Sequence, residues 1–286
     1  ISFSNWLSHF ERLSVAVSNG DVTEGALSLT YFEVDATNYS TPVSLVITGV
    51  DDLLDDGDIT YNVGVTPTLS YTLTDAVGAI TLHTKPIRNE TVAVTNIDDD
   101  TAGLNVTQHG TVTNEAGTIT ASFTVALLSE PLLPVVLKPV SLDPTEGTFD
   151  VAALQFYKSN WQTAQTVVVQ GVDDKVRDGD IVYTVEIVGD TAAAGSSPEY
   201  EGIKKQLSFT NLDDDVVGID VTMASSVTTE SGDRASFTMK LTSEPLAAVI
   251  YTLSTDDSSE GQVESSIIAV LAPDNWNIGV LVEVSG

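Results

Sequence analysis

The chain has 286 residues, of which 42% are hydrophobic, so it is long enough to form two or three domains with real apolar cores. It carries 41 acidic and 11 basic residues, and the resulting formal net charge of -30 opposes binding to nucleic acid or to an anionic membrane and favours cations as partners. The absence of cysteine excludes disulfides and thiolate metal sites, and no apolar run is long enough for direct membrane insertion. No signal-type segment is present, so we expect either a soluble cytoplasmic chain or a segment of something larger.

The first part of the chain, residues 1–100, is expected to be a repeat that lacks its first strand. Its opening letters, SFSNWL from Ser2, align with SFTMKL from Ser236, which places the start of the chain inside a repeat. Three further motifs follow in order, and each recurs later in the chain: TEG at 23–25, GVDD from Gly49 and NIDDDTAG from Asn96.

Residues 101–215 are expected to form the one complete repeat. It contains SFTVALLSEPL from Ser122, TEG at 145–147, GVDD from Gly171 and NLDDDVVG from Asn211. The last part, residues 216–286, repeats SFTMKLTSEPL from Ser236 and stops at VLVEVSG, before a GVDD motif is reached. Repeats of this length are too long for a solenoid and predict independent domains in series.

Each repeat is predicted to be all-β. Phe237, Met239 and Leu241 alternate with polar residues, which is the period of a strand with one buried face. A second strand places Ile181, Tyr183, Val185 and Ile187 on one face. Such segments recur between Gly, Asp and Pro turns with no sustained helical period, so we predict a β-sandwich of about seven strands per repeat, arranged in an elongated array.

Acidic residues cluster beside these strands. In the central repeat they are Glu115, then Asp173, Asp174, Asp178 and Asp180, then Asp213, Asp214 and Asp215. Two carboxylates about 4 Å apart repel by roughly 4 kcal/mol at an effective dielectric of 20, so a gathered cluster requires a counterion. Turn formation is the alternative explanation, but paired copies of GVDD with DGD and of DDD favour metal binding. Asp143, Glu146 and their analogues in the other repeats fit either explanation.

Calcium is the expected ion, because it accepts about 6 to 8 oxygen ligands in flexible geometry. Magnesium is the second choice. Zinc is poorly supported, because the three histidines are scattered without paired spacing.

The combined motifs resemble the Calx-β domain family in its bacterial tandem-repeat form, over nearly the whole chain. This resemblance implies immunoglobulin-like sandwiches that hold calcium at one end, through a Glu on the first strand, an Asp pair with the acidic residues after it, and acidic residues at the carboxyl end. In the central repeat it implies Glu115, Asp173, Asp174, Asp178 or Asp180, and Asp213 to Asp215. In the first repeat it implies Asp51, Asp52, Asp56 or Asp58, and Asp98, Asp99 and Asp100, without a first-strand Glu. In the last repeat it implies Glu230 alone.

The expected function is that of a calcium-binding extender segment in a large exported bacterial surface or adhesion protein, stiffened by Ca2+ at domain ends and junctions. Its expected partners are calcium ions, neighbouring repeats of the same protein and, through open strand edges, further copies of the chain. The alternatives are a calcium-sensing regulatory domain pair of a membrane protein and a subunit of an extracellular filament joined by strand donation. We expect no enzymatic activity, because no nucleophile elbow, phosphate loop or zinc signature is present.

Overall fold

A computed structural model describes residues 12–190, 197–264 and 267–286. Within the last range, it describes the backbone but not the side chains of residues 267–270. The described chain is built from β-strands joined by turns, with one turn of 3-10 helix at Pro198–Tyr200. The prediction of an all-β fold is therefore confirmed. The predicted alignment of Ser2 with Ser236 lies outside the described residues.

The central repeat is a sandwich of two sheets. The first sheet has four strands in the order β12-β14-β10-β8, and these are Gly147–Phe149, Gln165–Gly171, Thr120–Leu127 and Leu104–His109. The second sheet has five strands in the order β13-β11-β15-β16-β9, and these are Leu154–Phe156, Val135–Ser141, Ile181–Gly189, Lys204–Leu212 and Val112–Asn114. Neighbours are antiparallel except β16 and β9, which run parallel.

The core of this sandwich follows from strand alternation. Phe123 and Val125 of β10 are fully buried, as are Val185 and Ile187 of β15, so each sheet turns one apolar face inward. The sheets approach closely where β12 crosses β15, because a methyl group added at Gly147 would overlap the ring of Tyr183. The predicted inward face of β15 is thus confirmed for its three buried residues.

The first repeat contains counterparts of the later strands of the central one. One sheet has the order β3-β1-β5-β6, with β7 also paired to β5, and a second sheet pairs β2 with β4. These strands are Arg12–Asn19 (β1), Gly25–Leu27 (β2), Tyr31–Val34 (β3), Ile47–Gly49 (β4), Ile59–Thr74 (β5), Ile80–Pro86 (β6) and Glu90–Asn96 (β7).

The last repeat contains counterparts of the earlier strands. Its sheets have the orders β17-β18-β22-β20 and β19-β21. The strands are Ile219–Ser225 (β17), Arg234–Leu241 (β18), Val249–Thr252 (β19), Gln262–Val263 (β20), Ile267–Leu271 (β21) and Val280–Ser285 (β22). Phe237 of β18 pairs with Val282 of β22 as Phe123 pairs with Val167 in the central repeat, so the repeated sequence produces a repeated register.

By its contacts the chain divides into two compact units. Unit 1 comprises Ile1–Ala102 with Ser129–Leu132, and unit 2 comprises Gly103–Leu128 with Leu133–Gly286. The predicted boundary between residues 215 and 216 lies inside unit 2 and stays a prediction. Within the described residues, no helix has the length and apolar character needed to cross a membrane.

Candidate metal centres

The acidic loops of the central repeat converge because their strands end at the same edge. Glu115 follows β9, the aspartates of the GVDD and DGD motifs lie between β14 and β15, and the DDD motif follows β16. The parallel pairing of β9 with β16 continues past the strands, since the Glu115 backbone N–H donates to the Leu212 carbonyl at 3.1 Å. Three segments that are distant in sequence therefore reach one place.

Two overlapping groups of carboxylates form around Glu115. It lies with Asp213 and Asp215 in one group and with Asp173 and Asp214 in the other, with one ligand oxygen from each residue within 4.8 Å of the others. Five of the eight residues predicted for this repeat therefore lie in these two groups. Asp174 and Asp178 belong to a third group.

Glu115 is the deepest of these carboxylates. Its side chain is only 5% exposed, and its Oε2 atom is buried without a hydrogen-bond partner. Burial, followed by the charge of Asp174, raises the pKa of Glu115 to about 7, against the opposing effect of the Asp214 backbone N–H. A second buried oxygen without a partner, Oδ2 of Asp215, lies in the same group. Burial also raises the pKa of Asp215. These oxygens fit a bound cation, which would satisfy them and hold them ionised.

The third group of the central repeat joins Glu146 to Asp174 and Asp178. Glu146 is 6% exposed, and burial raises its pKa although the Asn211 side chain donates to it. The group contains Asp178 and not Asp180. The sequence offered either aspartate as a ligand, and the structure places only Asp178 in a carboxylate group.

A buried amide holds Glu146 in place. The Asn211 Nδ2 atom donates to Glu146 Oε2 at 3.2 Å and to the Val172 carbonyl at 3.0 Å, and Asn211 Oδ1 accepts from the Thr113 hydroxyl at 3.1 Å. Asn211 is 1% exposed. Because one amide contacts β9, the TEG loop and the GVDD loop, it fixes the relative positions of the loops that carry the acidic side chains.

Asp180 closes the loop between β14 and β15. Its Oδ1 atom accepts from the Asp213 backbone N–H at 3.3 Å, while Asp213 Oδ2 accepts from the Gly179 backbone N–H at 2.7 Å. Asp180 is in none of the carboxylate groups found among the described residues. Its observed role is to tie the DGD loop to the DDD segment.

The first repeat reproduces this arrangement. Glu24, Asp52 and Asp56 form a group at positions that correspond to Glu146, Asp174 and Asp178. Asn96 Nδ2 donates to Glu24 Oε2 at 3.2 Å and to the Val50 carbonyl at 3.0 Å, as its counterpart Asn211 does. Burial raises the pKa of Asp56.

A second group in the first repeat contains Asp51, Asp99 and Asp100. Burial, followed by the charge of Asp99, raises the pKa of Asp100. Both groups line one cavity of about 300 Å³. Asp58 and Asp98 are in neither group. Instead they connect the DGD loop to the DDD segment, as Asp180 and Asp213 do in the central repeat. The Asp98 backbone N–H donates to Asp58 Oδ1 at 3.1 Å, and Asp98 Oδ2 accepts from the Gly57 backbone N–H at 2.7 Å.

Glu230, predicted for the last repeat, lies in an exposed turn before β18. It belongs to none of the carboxylate groups formed by described residues.

Two buried glutamates were not selected from the sequence. From the sequence, Glu146 and its analogue Glu24 fit metal binding and turn chemistry equally well. The available signal was the TEG motif, in which an acidic residue precedes glycine at the same place in both repeats. The structure shows that glycine is needed there because an aromatic ring, Tyr61 or Tyr183, lies against it.

Comparison with known proteins leaves the family open. No family model matches the chain, and no curated protein matches it. Among solved structures, that of surface layer protein SbsC, domains 4-9, matches with a TM-score of 0.25 and 12% identity, covering 94% of this chain and 42% of that one. A TM-score this low supports no conclusion about shared function, and the resemblance to the Calx-β family stays a prediction from sequence.

Proposed function

We propose that this chain is a calcium-binding structural segment whose repeats are stabilised by cations held at the ends of their sandwiches. The observation that carries the proposal is Glu115, a carboxylate that is 5% exposed, has one oxygen without a partner and is surrounded by four aspartates. A buried anion without a partner is costly, and a bound cation removes that cost.

Calcium suits the donor set better than other common ions. All grouped side chains are carboxylates, which are hard oxygen ligands, and no histidine joins a group among the described residues. The overlapping groups around Glu115 offer several oxygens from loops whose backbones are already tied together, which matches calcium's demand for many ligands in flexible geometry.

We place this segment outside the cell, as part of an exported bacterial surface or adhesion protein of the Calx-β type, without catalytic activity of its own. A site built from surface loops binds calcium usefully where the ion is abundant, and extracellular modules work with dissociation constants of about 10⁻⁴ to 10⁻³ M. In a titration that brings the ion about a hundredfold above the dissociation constant, each site adds roughly 2.7 kcal/mol to folded stability.

Calorimetric melting in calcium, in magnesium and in excess chelator tests the proposal. We expect the melting temperature to be highest in calcium, intermediate in magnesium and lowest in chelator. Small-angle scattering should show a looser particle in chelator. An unchanged melting temperature in excess chelator would refute the cation role.

A further inference from the structure

The Ser-Glu-Pro loop is a repeated motif that the cation groups do not use. It occupies residues 129–131 after β10 and residues 243–245 after β18. Its serine is buried in both copies, at 0% exposure for Ser129 and 6% for Ser243. A loop that buries a polar side chain at the same place twice has a defined structural position, and its contacts show what that position is.

In unit 2 this loop pairs with the GVDD loop of the repeat before it. The Glu244 backbone N–H donates to the Lys175 carbonyl at 2.6 Å, and Glu244 forms an isolated parallel β-bridge with Val176. Glu244 belongs to the last repeat by sequence, and Lys175 belongs to the central repeat. The contact therefore joins two consecutive repeats inside one compact unit.

The same pairing occurs inside unit 1. The Glu130 backbone N–H donates to the Leu53 carbonyl at 2.6 Å, and Glu130 forms a parallel bridge with Leu54. The loop Ser129–Leu132 is counted with unit 1 by its contacts, although the surrounding sequence belongs to the central repeat. Two independent copies of one loop thus make one kind of contact with two copies of another.

An aspartate of the carboxylate groups shapes the loop that is contacted. Asp174 Oδ1 accepts from the Val176 backbone N–H at 2.7 Å, and in the first repeat Asp52 Oδ1 accepts from the Leu54 N–H at 2.9 Å. Asp174 also lies in the group with Glu146 and Asp178. One side chain therefore belongs to a cation group and also forms the turn that presents the Lys175 carbonyl to the next repeat.

The backbone bridge by itself is weak, so repulsion or attraction at Asp174 changes how stably the two loops pair. A backbone hydrogen bond contributes only about 1 kcal/mol net. Leu246, which follows the motif, is 83% exposed, so apolar burial by this side chain adds little. Without a cation, repulsion among three carboxylates acts on Asp174, and with a cation they are drawn together.

We propose that the Ser-Glu-Pro loop is a docking element that binds the GVDD loop of the preceding repeat, and that cation binding at that preceding repeat strengthens the docking. The coupling rests on the proposed cation function, whereas the contact itself does not. In an array of such repeats the ion would control the attachment between neighbours as well as the stability of each repeat.

Disulfide trapping in the full chain tests this proposal, because the natural sequence contains no cysteine. A Val176→Cys/Glu244→Cys variant places two thiols at the bridge, and a Thr222→Cys/Thr238→Cys variant, at a paired position of β17 and β18, is the matched control within one sheet. The rate of cross-linking is measured in calcium and in chelator, and calcium binding to the reduced protein is measured by titration calorimetry.

We expect the bridge pair to cross-link at least about fivefold faster in calcium, the lower end of typical coupling factors, and the control pair to be unaffected. Equal rates in calcium and chelator, with calcium still bound, would overturn the coupling and leave the proposed function intact. No cross-link under either condition would overturn the docking. Absence of calcium binding would reject the proposed function and the coupling together, while the cross-link would still report the contact.

Two substitutions at Asp174 separate its roles. Asp174→Asn keeps an oxygen that can accept from Val176 but removes the charge, so we expect loss of the calcium effect with the chelator rate retained. Asp174→Ala removes both, so the rate in chelator should fall as well. Equal chelator rates for these two variants would contradict the proposed turn.

Discussion

At the scale of single residues, Glu115 is where the fold and the proposed ion meet. Its carboxyl group has a pKa of about 7 in the folded protein, against an ordinary value of 4.5. Because the folded state binds this proton more tightly than the unfolded state, the metal-free fold is not penalised below about pH 4.5, and it loses stability as pH rises from there to about 7. The loss is about 3 kcal/mol at most.

Glu115→Gln provides the corresponding prediction. The variant cannot ionise, so in chelator at pH 8 we expect it to be more stable than the natural protein, with a weaker decline between pH 5 and pH 8. In calcium it should gain less stability than the natural protein, because a charged ligand is missing. Urea unfolding at both pH values measures this, with exposed Glu201→Gln as control. A variant that is less stable than the natural protein in chelator at pH 8 would contradict the assignment.

Asn211 gives a second prediction at this scale. Asn211→Ala removes the donor to the Val172 carbonyl and to Glu146, and leaves buried acceptors without a partner. We expect a loss of about 2 kcal/mol in the free energy of unfolding. The exposed Asn105→Ala is the control and should change stability little. Wild-type stability of the Asn211 variant would show that the amide is dispensable.

At the scale of elements, the loop between β14 and β15 depends on a glycine. Gly179 has φ of +87°, nothing lies within 4 Å of an added Cβ, and its N–H bonds to Asp213. Gly57 has the same role in the first repeat, with φ of +78°. The DGD motif is therefore a loop with a left-handed turn that is hydrogen-bonded to the DDD segment. Only its first aspartate joins a carboxylate group.

Gly179→Ala is expected to cost about 1 kcal/mol, since a Cβ is disfavoured at positive φ even where space is open. The control is Gly261→Ala, where an added Cβ would make ordinary contacts 3.7 Å from Val284. Denaturant unfolding compares the two variants. If Gly261→Ala cost as much as Gly179→Ala, backbone conformation would not be the cause.

At the scale of the whole molecule, the net charge of -30 opposes compaction when no cation is bound. We expect sodium chloride to raise the melting temperature of the chelated protein, because salt screens exposed charges with a Debye length of about 10 Å at 0.1 M. The calcium-loaded protein should respond less, since bound ions already neutralise its densest clusters. An equal response in both states, measured by calorimetry, would contradict localised binding.

The sequence by itself determined the all-β fold, the inward faces of the strands and the segments in which carboxylates would gather. It could do so because strand alternation is visible within a short segment, and a repeated motif is found by comparing the chain with itself. Asp173, Asp174 and Asp178 were selected in this way, and they do lie in carboxylate groups.

Only the tertiary structure decided which acidic residues meet. Asp180 accepts a backbone N–H while Asp178 joins Glu146, a distinction that depends on how the DGD loop turns. Glu24 and Glu146 reach the groups through short β2 and β12, and a buried asparagine holds each of them. The pairing of Glu244 with Val176 was equally out of reach from sequence. The physical reason is common to all three cases, since burial and loop direction are set by packing between segments that are far apart in the chain.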